Sequence, residues 1–265
     1  METLFEIHTI MYILAGAGVG LAVGITGVGG GSLMTPLLLL FGFPTHIAIG
    51  TDLFYAAITK AGGVFSHQRQ STIQWDVVFR LARGSIPASI ITVILLNVFF
   101  EDADSYSHVL VTTLGAMLIL TSVVLLFKKR LQALSHTKHE GDSFMAKHRN
   151  SLTTVMGVLL GVCVTLSSVG AGAFGAAILL VLYPHLSPIK VIGTDIAHAV
   201  PLTLIAGLGH LSLGNVDFVL LFSLLIGSLP AIHIGTMLGK RLPDKVLQPA
   251  LASILLIIGV KYAFF

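Results

Sequence analysis

Apolar residues run along the chain in ten stretches: Ile10 to Thr26, Leu33 to Phe43, Ile47 to Phe65, Val77 to Phe100 and His108 to Phe127, then Leu152 to Ser168, Phe174 to Tyr183, Val191 to Leu211, Val216 to Leu238 and Val246 to Phe265. Several are about 20 residues long, enough to cross a hydrocarbon core of about 30 Å as a helix. Leu33 to Phe43 and Phe174 to Tyr183 are too short to cross straight. Each short stretch accompanies a glycine-rich run, Gly27-Val-Gly-Gly-Gly-Ser32 in the first half and Gly170-Ala-Gly-Ala-Phe-Gly175 in the second. The pattern predicts an all-α polytopic membrane protein whose helices break at the glycine turns. An eight-span arrangement, with the two short pieces re-entrant, is the alternative count.

The two halves repeat. Displaced by the interval that separates Gly27 from Gly170, Gly18 meets Gly161, Gly29 meets Gly172, and Gly50-Thr51-Asp52 meets Gly193-Thr194-Asp195. His67 then meets His210, Gly84-Ser85 meets Gly227-Ser228, and Pro87-Ala88 meets Pro230-Ala231. Chance matches between apolar helices would favour Leu and Val, whereas these are Gly, Asp, His and Pro. The expected organisation is a first membrane repeat over 1–127, a basic linker over 128–150 and a second repeat over 151–265.

Charge orients the repeats. Charged residues make up 10% of the chain and mean hydropathy is +0.94, far from an ordinary soluble domain. The pI near 9.1 comes from short basic clusters between apolar stretches, which topology explains without a nucleic-acid partner. Lys128, Lys129, Arg130, Lys138, Lys147 and Arg149 place the linker in the cytoplasm of an inner-membrane protein. Five segments per half then put both termini outside and turn the second repeat upside down relative to the first, the inverted-repeat plan of many secondary transporters. The N-terminus lacks the basic region of a cleaved signal peptide, so the first segment is expected to be retained. Cys163 is the single cysteine, which rules out a disulfide framework and a cysteine-rich metal site. Oligomeric state stays open, a homodimer included.

The glycine turns are the candidate site. Glycine takes positive φ readily, and successive backbone N–H groups at a helix start, with the positive end of its dipole, favour a small anion. Thr26, Gly27, Gly29, Gly30, Gly31 and Ser32 in the first half, and Ser168, Gly170 and Gly172 in the second, are the expected substrate-binding residues, with Ser167 a further hydroxyl donor and Thr51 and Thr194 close by. Glycine runs also allow close helix packing; doubling at one offset beside two short helices favours a site.

Ionisable groups within a span mark a pathway or a proton relay. Asp52, Asp195 and His198, which stands one turn after Asp195, are the candidate proton-coupling residues; the bland reading of the aspartates is a helix-start carboxylate capped by Thr51 or Thr194. Lys60, Arg80 and Arg83 are expected to snorkel to the inner interface, although their counterparts Thr203, Ser223 and Ile226 leave room for Lys60 or Arg83 to attract an anion. His67 and His210 end their helices and read as interfacial or gating groups.

Gly27-Val-Gly-Gly-Gly-Ser-Leu-Met-Thr-Pro36, Gly42-Phe-Pro44 and Ala48-Ile-Gly-Thr51, with the weaker echo in the second half, resemble the TauE/SafE sulfite-exporter family, also called the sulfonate-uptake permease family. The resemblance covers about Met11 to Phe265. It implies a multi-pass permease for sulfite, sulfonates, thiosulfate or related anions, with no cofactor. In the family's pattern a small uncharged residue follows Gly-Thr; Asp stands there in both halves of this chain, which argues against a simple anion pocket at that point or adds a proton to it. The expected mechanism is alternating access, one repeat moving against the other around a small oxyanion. A divalent metal or cation permease using Asp52, Asp195, His67, His198 and His210, and an intramembrane hydrolase built on Ser168 and His198, are the alternatives.

Overall fold

A computed structural model of the chain describes residues 2–26, 31–100, 102–103, 105–137, 147–239 and 244–264. Among the described residues there are ten helices and no strand: α1 (Glu2–Thr26), α2 (Gly31–Leu40), α3 (Thr45–Arg69), α4 (Trp75–Phe99), α5 (Ser107–Thr137), α6 (Arg149–Ser167), α7 (Ala173–Leu182), α8 (Pro188–Ser212), α9 (Phe218–Gly239) and α10 (Asp244–Phe264). Five stretches within them, Trp75–Phe99, Ser107–Phe127, Arg149–Ser167, Pro188–Ser212 and Phe218–Leu238, are long and apolar enough to cross a membrane. Large apolar side chains such as Phe99, Phe222 and Ile257 are exposed around the outside, as a lipid-facing surface requires. The protein is a polytopic membrane protein. Helix α5 continues beyond the apolar stretch, past Phe127 to Thr137, because Lys, Arg, Leu, Gln and Ala there are good helix formers whatever their polarity.

Helices α2 and α7 have 10 residues each, a rise of about 15 Å, half of the hydrocarbon core. The Tyr183 hydroxyl at the end of α7 lies 2.9 Å from Thr153 Oγ1 near the start of α6, and the Arg149 guanidinium stands 5.4 Å from the Tyr183 ring. Helix α7 therefore returns to the level from which α6 set out. The tip of this hairpin, Ser168 to Gly172, is inside the protein, with Ser168, Val169 and Ala171 buried. Gly170 (φ 129°) and Gly172 (φ 148°) take conformations closed to other residues, and Ser168 (φ 57°) takes the left-handed one despite its side chain.

The long helices pair across the halves rather than within them. Helix α1 runs parallel to α9, with Gly16, Gly20 and Gly24 pressed on the backbone at Leu224, Ser228 and Ile232; α6 runs parallel to α4, with Gly157 and Gly161 on the backbone at Leu81 and Ser85. A Cβ at any of these positions would strike main-chain atoms, so the glycines set the helix separation. Helices α5 and α10 pair antiparallel through Gly115 against Ala263 and a 2.7 Å bond from Ser122 Oγ to the Ala252 carbonyl. This packing corrects one sequence equivalence. Gly161 faces Ser85 and its counterpart facing Ser228 is Gly20, while Gly18 meets nothing within 4 Å. The interval that relates α3 to α8 slips by two residues in α1, because backbone contact, not sequence register, decides which glycine is used.

Candidate functional site

Helices α3 and α8 cross antiparallel at the centre, each carrying Gly-Thr-Asp. Gly50 lies against the Asn215 carbonyl and Gly193 against the His67 ring and Thr72 hydroxyl. Thr51 Oγ1 accepts the Asp217 N–H at 3.1 Å, and Thr194 Oγ1 accepts the Gln74 N–H at 3.0 Å. These are one bond made twice with the halves exchanged, and each hydroxyl caps the start of a helix from the other half, α9 or α4. Neither threonine caps its own helix, which begins at Thr45 or Pro188. Their hydroxyls hold the scaffold.

The turns after α3 and α8 repeat the same reciprocity. Thr72 N–H donates to the His67 carbonyl at 3.1 Å and Asn215 N–H to the His210 carbonyl at 2.9 Å, while the left-handed residues are Ser71 and Gly214. His67 Nδ1 lies 2.8 Å from Thr72 Oγ1. His210 Nε2 is 2.9 Å from the Thr165 carbonyl, and its Nδ1 is 3.2 Å from Asn215 Nδ2. Both histidines are therefore stapled into the turns, His210 fully buried and His67 half-buried. Asn215 Nδ2 also donates to the Tyr106 hydroxyl at 2.7 Å; burial raises the Tyr106 pKa above its ordinary value, against the lowering effect of that bond, which keeps this phenol neutral.

One residue further along, the aspartates turn toward the short helices. Asp52 Oδ2 accepts Thr35 Oγ1 at 2.5 Å and Thr35 N–H at 3.2 Å, near the start of α2. Asp195 Oδ1 occupies the place where a Cβ on Gly175, in the first turn of α7, would stand. No side chain caps α7, and its first backbone bonds run from Gly175 N to Gly170 O and from Ala176 N to Gly172 O, both at 2.9 Å. Each carboxylate thus rests near the positive end of the short helix of its own half.

Near both lies Lys60, buried, its ammonium donating to the Ala171 carbonyl of the second glycine turn at 2.8 Å. It is within electrostatic reach of both Asp52 and Asp195. The expected snorkelling of Lys60 is overturned: it sits too far from either end of α3 for its stem to reach the interface.

Several polar atoms at this centre are buried and without a hydrogen-bond partner: Asp52 Oδ1, Tyr55 Oη, Ser168 Oγ, Asp195 Oδ1, His198 Nδ1 and Ser228 Oγ. Ser168 faces Asp52, and Tyr55 faces Ser228. His198 Nε2 is 2.8 Å from Ser85 Oγ, so the ring is held by α4 and not by Asp195, one turn before it. Ser85–His198 and Ser228–Tyr55 are matching pairs in the two halves. Asp195 Oδ1 and His198 Nδ1 have no such facing group, and an unpaired buried polar atom costs about 1–3 kcal/mol.

Of the remaining expected substrate residues, Gly170 and Gly172 form the turn as foreseen, Gly31 opens α2, Thr26 closes α1, and Ser32 is buried. Gly27, Gly29 and Gly30 lie outside the described residues. Ser167 Oγ is engaged by its own backbone, donating to the Cys163 carbonyl at 2.6 Å and accepting the Val169 N–H at 3.1 Å. Among the described residues no three His, Cys, Asp or Glu side chains converge as a metal site would need.

A family profile described as "Sulfite exporter TauE/SafE" matches residues 12–262. The chain belongs to the TauE/SafE family. It is 37% identical over 253 residues to the probable membrane transporter protein YjnA of Bacillus subtilis, covering 96% of this chain and 99% of that one. It is 29% identical to the probable membrane transporter protein YdhB of the same organism, covering 94% and 98%, and 25% identical to a probable membrane transporter protein of Methanocaldococcus jannaschii, covering 98% and 97%. No solved structure matches. This TauE/SafE chain is a membrane transporter.

Thr35, the Ser85–His198 contact and the Tyr55–Ser228 pair of the TauE/SafE centre were not foreseen, while Lys60 was named as an anion-attracting residue but placed at the interface. Thr35 lies within the family-like first motif, which drew attention to its glycines alone. For Lys60 the available signal was its mismatch with Thr203 in an otherwise well-kept repeat.

Proposed function

We propose that the protein is a secondary permease of small sulfur oxyanions or organosulfonates, working by alternating access, with Asp52 and Asp195 as proton carriers. The buried Asp195 Oδ1 and His198 Nδ1 atoms, which have no hydrogen-bond partner, beside the Lys60 ammonium carry this reading. An oxyanion accepts from hydroxyls, from Lys60 and from the uncapped start of α7, and a carboxyl that takes up a proton becomes one more donor. A cavity of about 330 Å³ opens at the start of α6 and the far end of α7, lined by Gln74, Asp76, Arg80, Lys147, Arg149, Tyr183 and His185 among others. Its cationic rim suits the collection of anions.

The reading places 1–127 and 151–265 as inverted repeats, the linker in the cytoplasm and both termini outside. The reciprocal Thr51–Asp217 and Thr194–Gln74 bonds support the inversion. His198, held by Ser85, lines the centre as a polar wall between the proton-carrying aspartate and α4.

Flux of labelled sulfite, thiosulfate, a sulfonate and a divalent metal into proteoliposomes, with and without a pH gradient, tests the proposal. Oxyanion flux stimulated by the gradient is the expected result. Metal flux without oxyanion flux would overturn it.

A further inference from the structure

We propose that Lys60 is the counter-charge of the transported anion, and that the centre accordingly carries a monoanion together with one proton and no net charge. This inference rests on the oxyanion-permease reading and adds to it the charge class of the substrate and the stoichiometry.

Lys60 has no cationic counterpart in the second half. Its counterpart Thr203 makes an ordinary back-bond along its own helix, Oγ1 to the Ala199 carbonyl at 2.9 Å, so the two Gly-Thr-Asp aspartates share a single ammonium. That ammonium has three donors, of which the Ala171 carbonyl takes one. The titratable groups that face it are Asp52 from its own helix, and Asp195 and His198 from α8. His198 is counted neutral, one ring nitrogen being bonded to Ser85.

The charges then add simply. One lysine cation, one ionised aspartate and one protonated aspartate make a neutral centre. A monoanion brings one negative charge, and a proton on the second aspartate restores neutrality. A dianion with both aspartates protonated leaves one charge uncompensated in a water-poor interior, which is strongly disfavoured. The site is suited to a sulfonate or hydrogen sulfite and discriminates against sulfate or thiosulfate. Attachment of Lys60 to the carbonyl of the second glycine turn also gives the anion a mechanical handle: an oxyanion at the ammonium competes for the donor that holds α3 to the α6–α7 hairpin.

The test uses purified full-length protein in proteoliposomes, methanesulfonate as the monoanionic probe, sulfate as the dianionic one, an entrapped pH dye, and potassium with valinomycin to clamp the potential at zero or at about −100 mV. Methanesulfonate entry should follow the pH gradient, bring in one proton per anion, and have the same rate at both potentials. Sulfate should enter at least about 10-fold more slowly, Lys60→Met should lose methanesulfonate flux, and Lys60→Arg should keep it. Flux that scales with the potential, sulfate entry equal to that of methanesulfonate, or wild-type KM and rate in Lys60→Met would each overturn the inference while leaving the permease reading standing. No oxyanion flux in the wild type would overturn both. The wild-type stoichiometry decides the matter even where Lys60→Met fails to fold.

Discussion

Gly175→Ala sets two magnitudes of opposite sign against each other. Alanine in place of glycine within a helix stabilises by about 1 kcal/mol through backbone entropy alone, and α7 is a helix over Ala173–Leu182. The new methyl, however, would stand on Asp195 Oδ1 and come within 3.5 Å of the Gly170 carbonyl. Overpacking of a tight interior costs about 1–3 kcal/mol, and the aspartate on the other side is anchored, since α8 is pinned by Thr194 to Gln74. The sum is a net loss of roughly 0–2 kcal/mol, with the carboxylate driven off the start of α7. Thermal unfolding of detergent-purified protein and flux in proteoliposomes read the two consequences. Asp195→Ala removes the atom that is struck, so the double variant should recover stability relative to the sum of the singles, with an interaction of about 0.5–3 kcal/mol. If Gly175→Ala instead gained the full propensity term and transported normally, Asp195 would not be seated on α7 and the geometry assigned to the centre would be wrong.

Other expectations follow from single contacts. Thr51→Val or Thr194→Val leaves a buried N–H unpaired, of Asp217 or Gln74, and should destabilise by about 1–3 kcal/mol with little change in KM; a raised KM at unchanged stability would make these hydroxyls substrate ligands after all. Gly172→Val puts a β-branched residue at φ 148°, at a cost of about 1–3 kcal/mol, and should abolish flux; normal flux would reduce the second glycine turn to packing. Asp195→Asn should uncouple flux from the pH gradient, and a fully retained gradient dependence would confine Asp195 to holding α7.

Much of this architecture could be read from the sequence because its devices are local. Ten apolar stretches map onto the ten helices among the described residues, and the glycine turn at Gly170 and Gly172 breaks the chain where backbone permissiveness said it would. The Gly-Thr-Asp pair was visible as a repeat, but its division of labour was not. Whether Thr51 faces a solute or the Asp217 N–H depends on how α3 crosses α8, and nothing within the tripeptide encodes that angle. Lys60 was misplaced for a related reason: distance to a helix end is legible, but the start of α3 and the depth of the α6–α7 tip that meets the ammonium are tertiary facts. The Gly18 equivalence failed because a glycine is selected by the backbone it touches, two residues away from where uniform register pointed.

The pairing of α1 with α9 has a consequence in time. Helix α1 is made before α9, yet the backbone its glycines Gly16, Gly20 and Gly24 press against belongs to α9, roughly 200 residues later, or about 10–40 s of synthesis at ordinary elongation rates. Helix α4 waits far less for α6. The chain can therefore join α4 to α6 well before the glycine face of α1 meets α9, so a nascent chain arrested before Phe218 should expose that face to crosslinking with whatever small-residue helix the membrane offers.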